Sequence, residues 1–271
     1  MPKVLSEDQI DFFRETGFLS PYDGIDPTAA AAMCADLAAF EQSEGMCAGD
    51  INMKGHLCFS RAYEITANDQ VLDVVEDLIG PNILAFASRF WVKKGNDGKF
   101  VSWHQDSAYF GLEPHDLVTA WVALTASTEE MGCMKVLPGS HLGETHSHTE
   151  TFAKDNLLAR GQVISGIEES KAVSMPLKVG QFSCHHERIV HGSEANSTPN
   201  DRIGMAIFYI PTHVKSTIGR RTACLVRGVD DYGHWDADPL PKAALDRDIL
   251  DHTLAASQRY VDPQYIQEAE A

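Results

Sequence analysis

The chain has 271 residues, 44% of them hydrophobic and 23% charged, with a formal net charge of −17 at neutral pH. That length buries a sizeable core unaided, and the acidic balance speaks against nucleic-acid phosphates or an anionic membrane surface as partners, though not against a small anion held in a locally basic pocket. Cys34, Cys47, Cys58, Cys133, Cys184 and Cys224 are scattered without a C-x-x-C pair and read as reduced thiols; with no apolar signal core after Met1 and no bilayer-length apolar run, a cytoplasmic protein is expected.

Ser6-Glu7-Asp8-Gln9 predicts a capping box ahead of Ile10, Phe12 and Phe13, with Gly17 as the stop. Asp26-Pro27 opens a second helix through Ala29–Glu44, on which Met33, Leu37 and Phe40 recur at helical spacing. Val71, Val74, Val75 and Leu78 predict a third over Asn68–Ile79, ended by Gly80-Pro81. The texture then turns to strands: Ile83–Lys94, Val118–Ala126, Ala172–Leu177, Gly180–Cys184, Arg188–His191 and Ile203–Pro211. They are parted by Gly95-Asn96-Asp97-Gly98, Pro138-Gly139-Ser140, Val179-Gly180-Gln181 and Thr198-Pro199-Asn200-Asp201. Leu142–Lys171 shows no strand pattern and is long for a connection, the kind of loop that often serves as a lid. A helix is predicted over Ala243–Arg259, followed by an acidic tail. The expected architecture is mainly β: one domain over 1–271, whose helical first third packs on a jelly-roll core from about 82 to 215.

Chemistry concentrates in Trp103-His104-Gln105-Asp106-Ser107. On an extended segment His104 and Asp106 share one face. A second imidazole from another strand would complete a two-His-one-carboxylate triad, which fills one face of a ferrous ion and leaves the other open. His191, between the apolar pair Ile189-Val190 and the small Gly192-Ser193, can approach an ion closely. Arg202 opens the next strand; turned into a barrel, its guanidinium requires an anionic partner. Taken singly, these positions are also accounted for by ordinary polar contacts at a strand end, a hydrogen-bonded core histidine and a surface ion pair.

Taken in order, they resemble the phytanoyl-CoA dioxygenase-like family of iron(II)/2-oxoglutarate oxygenases. The resemblance rests on Leu5–Phe13, Gly17-Phe18, Trp103–Asp106, Ala120–Leu124, Gly132–His141, Gly180-Gln181, His191-Gly192-Ser193 and Arg202. It implies a double-stranded β-helix core in which His104, Asp106 and His191 hold Fe(II), with 2-oxoglutarate and O2 as cosubstrates. It also implies that Arg202 grips the distal carboxylate of 2-oxoglutarate, Ser193 hydrogen-bonds the same group and Trp121 lines its pocket; a planar guanidinium suits such bidentate recognition. Halogenases similar to this family carry a small residue where Asp106 stands, so its carboxylate favours a hydroxylase.

The stretch Trp103–Gly111 is similar to bacterial members that hydroxylate aminoalkylphosphonates next to phosphorus. For a phosphonate, Lys54, Lys93, Arg61, Arg160 and Arg188 are candidate donors; for an ammonium end, Asp50, Tyr63 and Tyr109 are candidates. Lys54 and Lys93 are candidates for the cosubstrate as well. Another small metabolite (an amino acid, acyl or natural-product substrate) and a cupin-like metal-binding protein without oxygenase activity are the alternatives. His146-Ser147-His148, His185-His186 and His141 read as polar or loop-shaping residues, not ligands.

Overall fold

In the computed structural model, which describes residues 2–261, the first helix (Glu7–Thr16) is closed at both ends by the residues its sequence offers. Ser6 Oγ accepts the Gln9 N–H and Gln9 Oε1 accepts the Ser6 N–H, satisfying two otherwise unpaired donors. Gly17 ends the helix at φ 83°, a left-handed turn that glycine adopts without strain. Asp26 caps Pro27–Glu44 and Asn68 caps Asp69–Ile79, as expected. The last helix begins at Arg247, later than expected, because Leu245 bridges to Phe59 and Asp246 caps through its carboxylate. The acidic tail lies outside the described residues. None of the described helices is long and apolar enough to cross a membrane.

A seven-stranded sheet runs in the order Phe18–Asp23, Gln181–His186, Val118–Ala123, Arg202–Pro211, Ile83–Lys93, Thr222–Arg227, Asp236–Ala237. Facing it is a four-stranded sheet in the order Val101–His104, His191–Ser193, Met134–Val136, Val173–Met175. Together they form the expected jelly roll. Phe18–Asp23 escapes a sequence pattern because it carries Pro21, which is tolerated where it lies, on the sheet's edge. Met134–Val136 is too short to alternate. The strand expected at Arg188–His191 begins at His191, since Ile189 closes a hydrogen-bonded turn on His186.

Pleating sorts the large sheet's side chains into two sets. Met205, Ile207, Tyr209, Val118, Ala120, Val122, Phe90 and Val92 face outward and are buried beneath the helices. There Phe59 makes edge contacts with Phe40 and Phe90 at 5.8 Å each, and each such fully buried ring contributes about 1.5–3 kcal/mol of hydrophobic stabilisation. Inward face Arg202, Ala206, Phe208, Thr119 and Trp121, which look into the space between the sheets. Gly204 sits in the same inward row, and a Cβ there would lie 1.9 Å from Trp121 Cζ2. Gly204→Ala is therefore expected to cost about 1–3 kcal/mol through overpacking, or to push Trp121 off its seat; urea denaturation at wild-type stability would contradict this.

Candidate metal centre

His104 and His191 sit directly opposite one another on adjacent antiparallel strands, with ring centroids 4.1 Å apart. Asp106 is not on the strand. The chain turns after His104, and Asp106 takes helical backbone angles (φ −62°, ψ −34°) at the start of Ser107–Phe110. The turn brings its Oδ1 within 3.5 Å of His104 Nε2 and 3.9 Å of His191 Nε2. The two side chains meet as expected, but through a turn and not along an extended segment.

The tautomers follow from the backbone. His104 Nδ1 faces the Ser102 carbonyl at 2.9 Å and His191 Nδ1 faces the Ile189 carbonyl at 3.0 Å. A carbonyl only accepts, so each Nδ1 carries a proton, which leaves the Nε2 facing Asp106 as the atom of each ring that can ligate. Burial, with His104 second, holds His191 well below the usual imidazole range. Burial alone would raise Asp106, but the surrounding imidazoles His104, His185 and His191 override it and keep the carboxyl well below its ordinary value. Three groups that can each offer a ligand atom thus converge within 4.8 Å of one another in a buried spot. That arrangement fits a divalent cation with mixed nitrogen and oxygen preference, and fits ferrous iron by donor type.

A second feature lies beside it. Arg202 is 2% exposed and stacks its guanidinium 4.3 Å over Trp121, with Nε donating to Ser127 Oγ. No carboxylate of the described residues pairs with it, and burial lowers its pKa to about 10. Lys93, its direct cross-strand partner, is fully buried. Its ammonium donates to Ser193 Oγ at 2.7 Å and to the Gly132 and Glu194 carbonyls. Burial, then Arg202, depresses its pKa to about 7. Ser193 Oγ accepts from Lys93, which leaves its own hydroxyl proton for another acceptor, and Arg202, Trp121 and Ser193 share a cavity with His104, Asp106 and His191. His185 lines it too, with Nε2 3.7 Å from Asp106 Oδ2 and no hydrogen-bond partner for either ring nitrogen.

A further cavity opens from His104 and Asp106 on another side, and Tyr109 lines it. Asp50 lines a neighbouring cavity that shares Asn52, Arg89, Trp91, Leu158 and Ala159 with it. Other sequence candidates lie elsewhere. Lys54 donates to Asp238, Phe86 O and Thr222 O at 2.7–2.9 Å in a separate groove. Arg61 pairs with Asp36 at 2.8 Å in the helical layer, Tyr63 packs against that layer's core, Arg160 pairs with Glu150, and Arg188 donates to the Gly143 carbonyl. Sequence reasoning passed over Arg89, Asn52 and Gln162, all of which line the metal-facing cavity. For Arg89 a signal existed: a lone cation inside an apolar strand, in phase with Trp91 and Lys93.

The long segment 142–171 docks along the metal strand. Leu157 and Ile164 donate backbone hydrogen bonds to the Phe100 and Trp103 carbonyls, both at 2.9 Å. Gln105, fully buried between the two ligands, accepts the His146 N–H and donates to Arg188 O, while its own N–H donates to His148 Nε2. The histidines of that loop thus hold backbone and do not converge on the metal centre.

The family model described as phytanoyl-CoA dioxygenase matches residues 13–204. A probable alpha-ketoglutarate-dependent hypophosphite dioxygenase of Stutzerimonas stutzeri is 28% identical over 156 residues, 57% of this chain and 54% of that protein. The human peroxisomal phytanoyl-CoA dioxygenase is 33% identical over 138 residues, 49% of this chain and 41% of that one. The chain thus spans about half the length of these curated relatives. A solved apo non-heme monooxygenase, ThoJ, superposes with a TM-score of 0.82 at 30% identity, covering 96% of this chain and 99% of that one.

Lys93 makes a testable demand on stability. Its pKa is about 7 in the fold and near the ordinary 10.5 in the unfolded chain. Between those values the unfolded chain binds a proton that the native state does not, so this group's contribution rises with pH and its cost is complete below about 7. Lys93→Met is expected to lose that rise. Urea melts of both proteins at pH about 6.5 and about 9.5 measure it, and identical pH slopes would refute a buried, depressed Lys93.

Proposed function

Because the chain belongs to the phytanoyl-CoA dioxygenase family, we propose that it is an Fe(II)- and 2-oxoglutarate-dependent hydroxylase of a small polar molecule. One observation carries the reading: a buried triad of lone-pair donors shares a cavity with an unpaired, buried arginine. A cation site and an anion site side by side suit a dicarboxylate that must reach both. A cupin-like binding protein needs the first and has no use for the second.

In this reading His104, Asp106 and His191 hold iron. The iron, when bound with 2-oxoglutarate, supplies oxygen activation, with succinate and CO2 formed as the substrate is hydroxylated. Arg202 takes the distal carboxylate of 2-oxoglutarate with the paired N–H groups of its fork, which the Trp121 face and Ser127 hold in one plane. Ser193 adds its hydroxyl proton, kept available because Lys93 already donates to its oxygen. Phe208, Met134 and Val101 wall the cavity and limit water around these charges, which strengthens them. Asp106 supplies the third protein ligand, leaving no vacant protein position for a halide, so hydroxylation is favoured over halogenation.

For the substrate we propose 2-aminoethylphosphonate or an N-methylated form, oxidised next to phosphorus. Support comes from the likeness of Trp103–Gly111 to the aminoalkylphosphonate-hydroxylating members and from a relative named as a probable hypophosphite dioxygenase.

Arg202→Ala should weaken 2-oxoglutarate binding by roughly a few kcal/mol, since it strands an anion, and Arg202→Lys should not restore it. Calorimetry on metal-loaded protein reads both, and unchanged affinity would remove Arg202 from this role. Succinate should form only with iron and oxygen present. A panel scored by succinate release names the substrate; none released with aminoethylphosphonates or their N-methylated forms rejects the phosphonate.

A further inference from the structure

We propose that His56, Cys224 and Asp238 form a second metal site, which takes a divalent cation of the zinc type through nitrogen, sulfur and oxygen. It draws no residue from His104, Asp106 or His191, so it stands or falls apart from the oxygenase reading.

The three residues come from distant parts of the chain. His56 lies in the short helix Gly55–Cys58, Cys224 on the strand Thr222–Arg227, and Asp238 just after Asp236–Ala237. Backbone pairing fixes each of them. The His56 N–H donates to Ser88 Oγ at 2.7 Å, Cys224 pairs with Ala85 in the large sheet, and the Asp238 N–H donates to the Ala223 carbonyl at 3.0 Å. A ring nitrogen, the thiol sulfur and a carboxylate oxygen thereby come within 4.8 Å of one another in a buried place. The imidazole is what points to a ligand. His56 is 0% exposed; its Nδ1 lies 2.8 Å from Ser88 Oγ, and its Nε2 has no hydrogen-bond partner among the described residues. A buried polar atom left unpaired costs the fold stability, which a bound cation would restore. Ser88 Oγ has two lone pairs, so it can accept the backbone proton and the Nδ1 proton together, which leaves Nε2 to ligate.

Lys54 competes for the acid. Its ammonium donates to Asp238 Oδ2 at 2.7 Å and to the Phe86 and Thr222 carbonyls. That ion pair accounts for Asp238 and Lys54, but not for an imidazole and a thiol brought to the same carboxylate. Asp238 and Lys54 both line an open groove, so an ion has a way in and the ammonium a way out. The sulfur sets the preference: thiolate with imidazole favours zinc-like ions over calcium or magnesium, and three protein ligands leave a fourth position for water. On binding, the Cys224 thiol proton passes to solvent. The cation then ties together three segments that are remote in sequence, and binding that favours the folded chain adds to its stability.

The test uses the full chain, stripped of metal under reducing conditions and titrated with Co(II). Metal analysis should give two equivalents per chain, one for each buried donor group. A thiolate-to-cobalt charge-transfer band in the near ultraviolet reports this site alone, because the triad has no sulfur. Cys224→Ser should abolish the band and one equivalent, whereas His104→Ala should lose the other equivalent and keep the band. His56→Ala should weaken the metal that gives the band by roughly 100-fold, the upper end of what loss of even a supporting group costs. Lys54→Gln should tighten it roughly tenfold, because no ammonium is then displaced from Asp238. Where Cys224→Ser fails to fold, the wild-type band and its response to His56→Ala and Lys54→Gln decide. No band in the wild-type protein, a band that survives in folded Cys224→Ser, or an affinity unchanged in both His56→Ala and Lys54→Gln overturns the site.

Discussion

The structure turns on one pairing: His191 opposite His104 across two short antiparallel strands. Directly opposed residues in such a ladder bring their side chains within about 5 Å on one face, so this register is what makes two imidazoles neighbours. Both rings are then locked by carbonyls of their own strands or turns, Ser102 and Ile189, which hold each proton on Nδ1. Asp106 enters from the turn beyond. A one-residue slip of either strand would send one ring to the opposite face and dissolve the donor set. The small sheet exists to hold that register, and the longer sheet exists to hold the small one in place.

The second constraint is the register Arg202 to Lys93 on the large sheet. Lys93 and Arg202 are buried side by side, and burial, then the neighbouring guanidinium, lowers the Lys93 pKa to about 7; Lys93 is saturated by a hydroxyl and two carbonyls, and Arg202 is held against Trp121. Gly204 is what lets the indole approach. Burying two such basic groups together costs the fold stability.

The segment 142–171 joins the two halves of the site. It runs beside the strand that carries His104, gives Leu158, Ala159 and Gln162 to the metal-facing cavity, and accepts Arg89 through the Leu157 carbonyl. Gln105 fastens it through its side-chain oxygen, which accepts from His146 N–H, and its backbone N–H, which donates to His148, while its amide nitrogen donates to Arg188 O. The residue between His104 and Asp106 thus works on the loop and couples that cavity wall to the triad.

What the sequence determined by itself was whatever depends on near neighbours. The caps at Ser6, Asp26 and Asn68 and the stop at Gly17 are local hydrogen-bond chemistry, and the structure has them as read. Apolar runs located most large-sheet strands, and the ordered residues His104, Asp106, His191, Ser193 and Arg202 were legible because spacing and residue type together are restrictive. Tertiary structure decided what spacing does not encode. Lys54 and Lys93 are the same residue in similar local settings, yet one closes on Asp238 and the other stands across from Arg202, since pairing partners come from strands more than a hundred residues apart. Arg89 was unreadable as part of a cavity until two strands and a distant loop surrounded it. Asp106 reached the triad through a turn that no period predicts. The chain's local order could name the candidate ligands; only long-range register could say which cations face them.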